Sequence, residues 1–203
     1  MATSETVVAN MALSHLGTGK EIASLTENSE EANSIRRFSE EARKKVLEDC
    51  EWPFATKFAV LGLVEETPVE NDEWGYSYRY PSDCLKPRRV LSGFRNDDRQ
   101  KRIPYRIGRD DQGLLIYTDQ QNANLEYTVN EDDYNIMPAG FTMALSFYIA
   151  LRIAPRLTKG DPFKIMRDLE DQYMKEIGRA QANRFNAEQP DHPVESEFIR
   201  IRS

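Results

Sequence analysis

The chain has 203 residues, with 27 Lys and Arg against 34 Asp and Glu for a net charge of −7, and 39% of its residues are hydrophobic. A chain of this size buries roughly 70% of its unfolded surface on folding and has the composition of a soluble globular protein, which excludes general disorder. The longest apolar run, 137–151, falls short of the roughly 20 residues that a membrane span requires and contains Thr142 and Ser146, so no membrane partner is expected.

The N-terminus lacks the basic and apolar regions of a signal peptide, and two cysteines cannot build a disulfide framework, so the chain is expected to fold in a reducing cytosol. Cys50, Cys84, His15 and His192 show none of the close pairing that zinc sites use, and neither a metal nor a cofactor is expected. A Cys–His nucleophilic pair is disfavoured by position, because Cys50 ends a helical pattern and His192 sits in a Pro-rich stretch.

In chain order, Val7, Val8, Met11, Ala12 and Leu16 recur at helical intervals, and Gly17 stands where a C-cap glycine belongs, which predicts a short amphipathic helix over 4–16. After a turn-rich link with Ile22 and Leu25, Asn28 and Glu31 read as a capping pair for a second helix. Its apolar stripe is Ala32, Ile35, Phe38, Ala42 and Val46, and it should end near Cys50, before Trp52-Pro53.

The stretch 57–129 changes period. Leu125, Tyr127 and Val129 alternate with Asn124, Glu126 and Thr128, and glycines and prolines break the stretch into about six strands of one antiparallel sheet, at a spacing typical of hairpins.

Pro138 then reads as lying just inside a helix that is apolar nearly all round and ends near Ala154-Pro155. Four helices in one chain offer too little cover for such a helix, so part of its surface is expected to meet a second chain. Asp161-Pro162 starts a final helix to about Ala187, followed by an extended tail whose anchors are Phe198, Ile199 and Ile201. The fold class is therefore α+β: a helical bundle core of about four helices with an inserted antiparallel β domain and an extended C-terminal tail. The expected division is 1–56, an N-terminal helical pair; 57–135, the β domain; 136–187, a second helical pair packing on the first; and 188–203, the tail.

Several motifs invite functional readings. Gly17-Thr18-Gly19-Lys20 lacks the first glycine and the final Ser or Thr of a phosphate loop and follows a helix, so it reads as a turn. Glu65-Glu66, Asp97-Asp98, Asp110-Asp111 and Asp132-Asp133 fall at turns or strand ends and read as solvated charges, not as a glycosidase pair. Trp74, Tyr76, Tyr78 and Tyr80 share one face of a strand, a core face before a stacking platform.

The strongest asymmetry is 86–109, where Lys86, Arg88, Arg89, Arg95, Arg99, Lys101, Arg102, Arg106 and Arg109 oppose Asp97 and Asp98, a local +7 against −14 for the rest. Such a patch suits phosphates, or the acidic surface of a neighbouring subunit, and the second use is preferred because neither a recognition helix nor stacking aromatics accompany it.

One ordered set of landmarks has a family resemblance. Leu13-Ser14-His15-Leu16-Gly17, Trp52-Pro53-Phe54-Ala55 and Tyr80-Pro81-Ser82-Asp83-Cys84-Leu85 are followed by Asp132-Asp133-Tyr134-Asn135-Ile136-Met137-Pro138-Ala139-Gly140-Phe141 and by Leu169-Glu170-Asp171-Gln172-Tyr173. Across nearly the whole chain this order and spacing resembles the tail tubular protein A family, the head-to-tail adaptors of short-tailed bacteriophages.

The resemblance implies a structural virion protein without catalysis, made in the bacterial cytoplasm and located in the tail or neck of the particle. It implies a dodecameric ring beneath the portal protein that lines the DNA ejection channel, carries the tail nozzle protein and passes double-stranded DNA without sequence specificity. By analogy, Phe198, Ile199, Arg200, Ile201 and Arg202 would contact the portal, while Lys86, Arg88, Arg89, Arg99, Lys101, Arg102 and Arg106 would meet the nozzle or the adjacent subunit. Two other classes stay open on residues alone. One is a nucleic-acid-binding module centred on 86–109, and the other is a phage-tail peptidoglycan hydrolase using a carboxylate pair.

Overall fold

A computed structural model describes residues 4–69, 71–91, 103–158 and 161–187. They form an α+β fold of four helices and two antiparallel sheets. None of these helices is long and apolar enough to cross a membrane.

Helix α1 (Glu5–His15) starts where Ser4 Oγ accepts the amide of Val7 and stops at Leu16, followed by Gly17 in the left-handed region at φ 64°. Its buried stripe is Val8, Ala9, Ala12 and Leu13, while Val7 is exposed. The helix is rolled by about one position from the expected phase, so that two alanines face its neighbour. The following link is held by Asn10, whose side-chain amide bonds both the amide and the carbonyl of Ile22, at 2.9 and 3.0 Å.

Helix α2 (Glu30–Asp49) is capped by Ser29, one residue after the expected Asn28, through the Ser29 Oγ bond to the Ala32 amide at 3.2 Å. Ala32, Ile35, Ala42 and Val46 are buried as the stripe requires, with Phe38 half-covered. Arg43 is buried too and binds Asn130 Oδ1 and the Glu131 carbonyl, fastening the approach to the third helix.

Seven strands follow, where about six were expected: β1 (Thr56–Val60), β2 (Leu63–Glu66), β3 (Tyr76–Arg79), β4 (Cys84–Leu91), β5 (Arg106–Asp110), β6 (Gly113–Thr118) and β7 (Asn124–Val129). They form two sheets rather than one, ordered β1-β7-β4 and β2-β3-β6-β5. Only β2–β3 and β5–β6 are consecutive antiparallel pairs. The breaks at Gly62 and Pro81 carry the chain from one sheet to the other, and a local break signal does not distinguish a change of sheet from a hairpin turn. Tyr78 faces the core as expected of the aromatic strand, while Trp74, Tyr76 and Tyr80 are only partly covered.

Helix α3 (Ala139–Leu157) has Pro138 at its N-cap, one residue before the expected inside position, and runs through Pro155 to Leu157. Pro155 lies in the final turn, where the Thr158 amide bonds the Ala154 carbonyl at 3.0 Å and closes the end. Helix α4 (Pro162–Ala187) begins after Asp161, whose Oδ1 accepts the Phe163 amide at 3.0 Å.

Helix α3 is enclosed by α1, α2 and α4. Phe141, Leu145, Ile149 and Ile153 are fully or almost fully buried within one chain, while Phe147, Tyr148 and Leu151 of the same helix are half-buried. One cluster of buried side chains continues from these helices through Trp52 to Leu125, Tyr127 and Val90 of the first sheet and Tyr78 and Ile116 of the second.

Candidate functional site

The basic segment does not form one open cationic face among the described residues. Arg88, on β4, reaches the end of α2: its Nη2 donates to the carbonyls of Leu47 at 3.0 Å, Glu48 at 3.3 Å and Cys50 at 2.9 Å, and its Nε to Thr128 Oγ1 at 2.7 Å. Helix α2 has no basic residue in its last turn, so Arg88 supplies both the missing donors and the positive charge that the C-terminal dipole favours.

Lys86 adds a bond to the Glu48 carbonyl at 2.9 Å, and Arg89 pairs with Glu126. Arg106 and Arg109 are exposed on β5, with Arg106 3.7 Å from the exposed Glu73. Arg95, Arg99, Lys101, Arg102 and the Asp97-Asp98 pair lie outside the described residues, as do His192 and the tail anchors Phe198, Ile199, Arg200, Ile201 and Arg202.

The landmark sequences occupy the joints of the fold. At the exit from α2, Trp52 Nε1 donates to the Val46 carbonyl at 2.8 Å, and the Trp52 and Phe54 rings each meet Phe141 edge-on at 5.1 Å. Within the turn into β4, Asp83 accepts Lys57 Nζ at 3.0 Å and the Tyr127 hydroxyl at 2.9 Å, while the Cys84 amide closes the turn on the Pro81 carbonyl. Lys57 and Tyr127 together hold the Asp83 carboxyl below its usual range, and burial together with Asp83 pushes Tyr127 up to about 12. Before α3, Asp133 Oδ1 accepts both the Asn135 amide and its side-chain nitrogen, at 2.9 and 2.8 Å.

Arg79 grips Asp110 with two 2.8 Å bonds and lowers its carboxyl to about 2; Glu65, Glu66, Asp132 and Asp133 are exposed. Every carboxyl shift resolved among the described residues is downward, through hydrogen bonds and neighbouring cations, whereas a general acid at neutral pH needs an upward one. Burial raises the Cys50 and Cys84 thiols, which opposes thiolate formation. No group of three His, Cys, Asp or Glu among the described residues is placed to hold a metal ion.

His15 belongs to the α1–α3 contact. Its ring stacks on Phe147 at 4.1 Å, and Nε2 lies 2.9 Å from Ser146 Oγ, which itself donates to the Met143 carbonyl. The serine oxygen therefore accepts from Nε2–H, and burial holds the imidazole below its ordinary pKa of 6.5. The unfolded chain takes up this proton first on acidification, so the stability from His15 is complete above about pH 6.5 and is lost as pH falls toward the lower folded value. The urea midpoint is expected to fall between about pH 7.5 and pH 5, and His15→Gln should flatten that slope. An equal fall in the variant would contradict this assignment.

Sequence reasoning missed the apolar surface on the strands. Phe58, Val60, Leu63, Val64, Ile107 and Leu114 are all exposed, Val60 by 75%. An open groove of about 680 Å³, lined in part by Val60, Leu61, Tyr80, Pro81, Cys84 and Leu114, lies where β1 and the turns after β3 and β5 meet. The runs Phe58-Ala59-Val60-Leu61 and Leu63-Val64 were its only signal, and apolar runs do not say which side chains stay uncovered. Compared with known proteins, the chain matches no family model and no curated protein.

Proposed function

We propose that this chain is a structural adaptor that assembles into a ring between the portal and the tail nozzle of a short-tailed phage and lines the DNA channel. The observation that carries this reading is the apolar surface left on the strands: Phe58, Val60, Leu63 and Leu114 are more than two-fifths exposed, and Val60 and Leu114 line one open groove. Exposed apolar side chains gathered in one region suit burial against other protein. The ordered landmarks that carry the family resemblance at Trp52, Tyr80 and Asp132 brace the joints between helices and strands.

The net charge of −7 suits a channel that lets DNA slide, since few phosphates would be held through counterion release. The nucleic-acid-module reading has less to draw on, because Lys86, Arg88 and Arg89 are engaged within the chain. Co-sedimentation with the portal protein of the same genome tests the docking step. The full chain is expected to sediment with the portal, and a variant lacking residues 188–203 is expected to fold and stay in solution. A full chain that ignores the portal overturns the adaptor reading, and undiminished docking by the shortened chain overturns the portal-contact role of the tail.

A further inference from the structure

The four-stranded sheet has two unlike edges. Strand β2 carries Leu63, Val64, Glu65 and Glu66, all exposed, and β5 carries Arg106, Ile107 and Arg109, likewise exposed. Among the described residues no strand pairs with the outer side of either. Among those residues, too, neither the carboxylates of Glu65 and Glu66 nor the Arg109 guanidinium has an ion-pair or side-chain hydrogen-bond partner, and Arg106 reaches only the exposed Glu73 at 3.7 Å. One edge is thus acidic and apolar, the other basic and apolar.

Register aligns the two edges. Leu63, Tyr78, Ile116 and Ile107 stand opposite one another in one row across the sheet, and Glu65, Ser77, Tyr117 and Arg106 form the adjacent row, with β2 bulged at Val64 between the two. The inner members of the first row are buried, Tyr78 at 2% and Ile116 at 0% exposure, yet its ends are open, Leu63 at 51% and Ile107 at 45%. Extended by one strand with the bulge at Val64 kept, the first row sets Ile107 against Leu63 of the next copy, and the second sets Arg106 against Glu65.

Strand direction permits this. All three pairings are antiparallel, so β2 and β5 run in opposite senses. Copies related by rotation about an axis along the strands therefore bring β5 beside the next β2 in the antiparallel sense as well. A two-fold pairing of like edges would instead bring Glu65 and Glu66 of two copies, or Arg106 and Arg109 of two copies, onto one strand pair, and like charges close across a strand pair are unfavourable.

We infer that β5 of one copy pairs antiparallel with β2 of the next, in the register that sets Ile107 against Leu63 and Arg106 against Glu65, so that the sheet continues from subunit to subunit. This rests on the adaptor reading for the premise that copies assemble. It adds the joint, a heterologous one of the kind that closes into rings.

Cysteine pairing tests the joint in the full chain. Within one copy positions 63 and 107 are three inter-strand spacings apart, about 14 Å, beyond the roughly 7 Å that a disulfide can bridge, so any bond between them links two copies. Under mild oxidation in the assembled state, alone or on the portal, the Leu63→Cys/Ile107→Cys double variant is expected to give a ladder of multiples on a non-reducing gel. Each single variant should match the wild type, whose Cys50 and Cys84 set the background. Covalent dimers from either single variant that persist with Cys50 and Cys84 replaced by serine would show like-edge pairing and overturn the inference.

Charge reversal provides an independent reading. Arg106→Glu should weaken self-association about tenfold, and Glu65→Arg in the same chain should restore it. Rings that form without the ladder and ignore both reversals overturn the joint and leave the adaptor reading standing. A wild-type chain that never assembles, with or without portal, overturns both.

Discussion

Phe141→Ala is expected to destabilise the protein by about 4 kcal/mol, a loss typical of truncating a fully enclosed aromatic ring. Phe141 is fully buried, and its ring receives the edges of Trp52 and Phe54 at 5.1 Å with interplanar angles of 89° and 76°. Removing the ring deletes both aromatic contacts and opens a cavity at the point where the exit of α2, the start of β1 and the first turn of α3 converge. The surroundings cannot collapse onto an alanine, because Trp52 is itself pinned through Nε1 to the Val46 carbonyl at 2.8 Å. Urea unfolding followed by tryptophan fluorescence measures the loss. A decrease below about 1 kcal/mol would show that the site repacks and that the joint is not held by this cluster.

Arg88→Met is expected to cost about 3 kcal/mol, from charge-assisted bonds whose individual worth is about 1.5–3 kcal/mol and which do not add fully. Methionine keeps an apolar stem of similar length and removes the guanidinium. The carbonyls of Leu47, Glu48 and Cys50 then lose a shared donor, and Thr128 loses its bond from Nε. Arg88→Lys should recover less than half of the loss, since an ammonium lacks the planar fork that spans the helix end and β7 together. Denaturation midpoints of the three proteins decide it. If Arg88→Met leaves the midpoint unchanged and weakens nozzle or subunit binding instead, Arg88 belongs to an interface and the structural role assigned to it is wrong.

Arg88 also marks the limit of the sequence reading. Nine basic residues within 86–109 are visible in the sequence, but their acceptors are largely backbone carbonyls at a helix end, and a carbonyl carries no residue signature. The surface role expected for Lys86, Arg88 and Arg89 therefore overlooked the bonds these residues make within the chain. The helices were far more legible. The stripes on α2 and α4 are wide and regular, and side-chain oxygens from Ser4, Ser29 and Asp161 announce three of the starts. Errors of one residue at Ser29 and Pro138 are those expected where neighbouring residues compete for one cap.

The strands were legible as strands and not as two sheets. Pairing of β1 with β7 and of β3 with β6 joins segments 36 or more residues apart, and alternation within a strand says nothing about its partner. The same limit hid the sheet edges. Leu63 and Ile107 read like any core residues, and only the register shows them at the two open ends of a row whose centre is buried. The apolar α3 was legible as a buried helix: α1, α2 and α4 cover most of it, and Phe147, Tyr148 and Leu151 remain half-buried.

The most direct test of the adaptor reading is light-scattering mass combined with negative-stain imaging of the purified chain, alone and mixed with the portal protein of the same genome. The account predicts rings, either free or stacked on the portal, with a mass that is a whole multiple of 23.4 kDa beyond the portal's own. A chain that stays at 23.4 kDa in both conditions, with bare portals in the images, would contradict it.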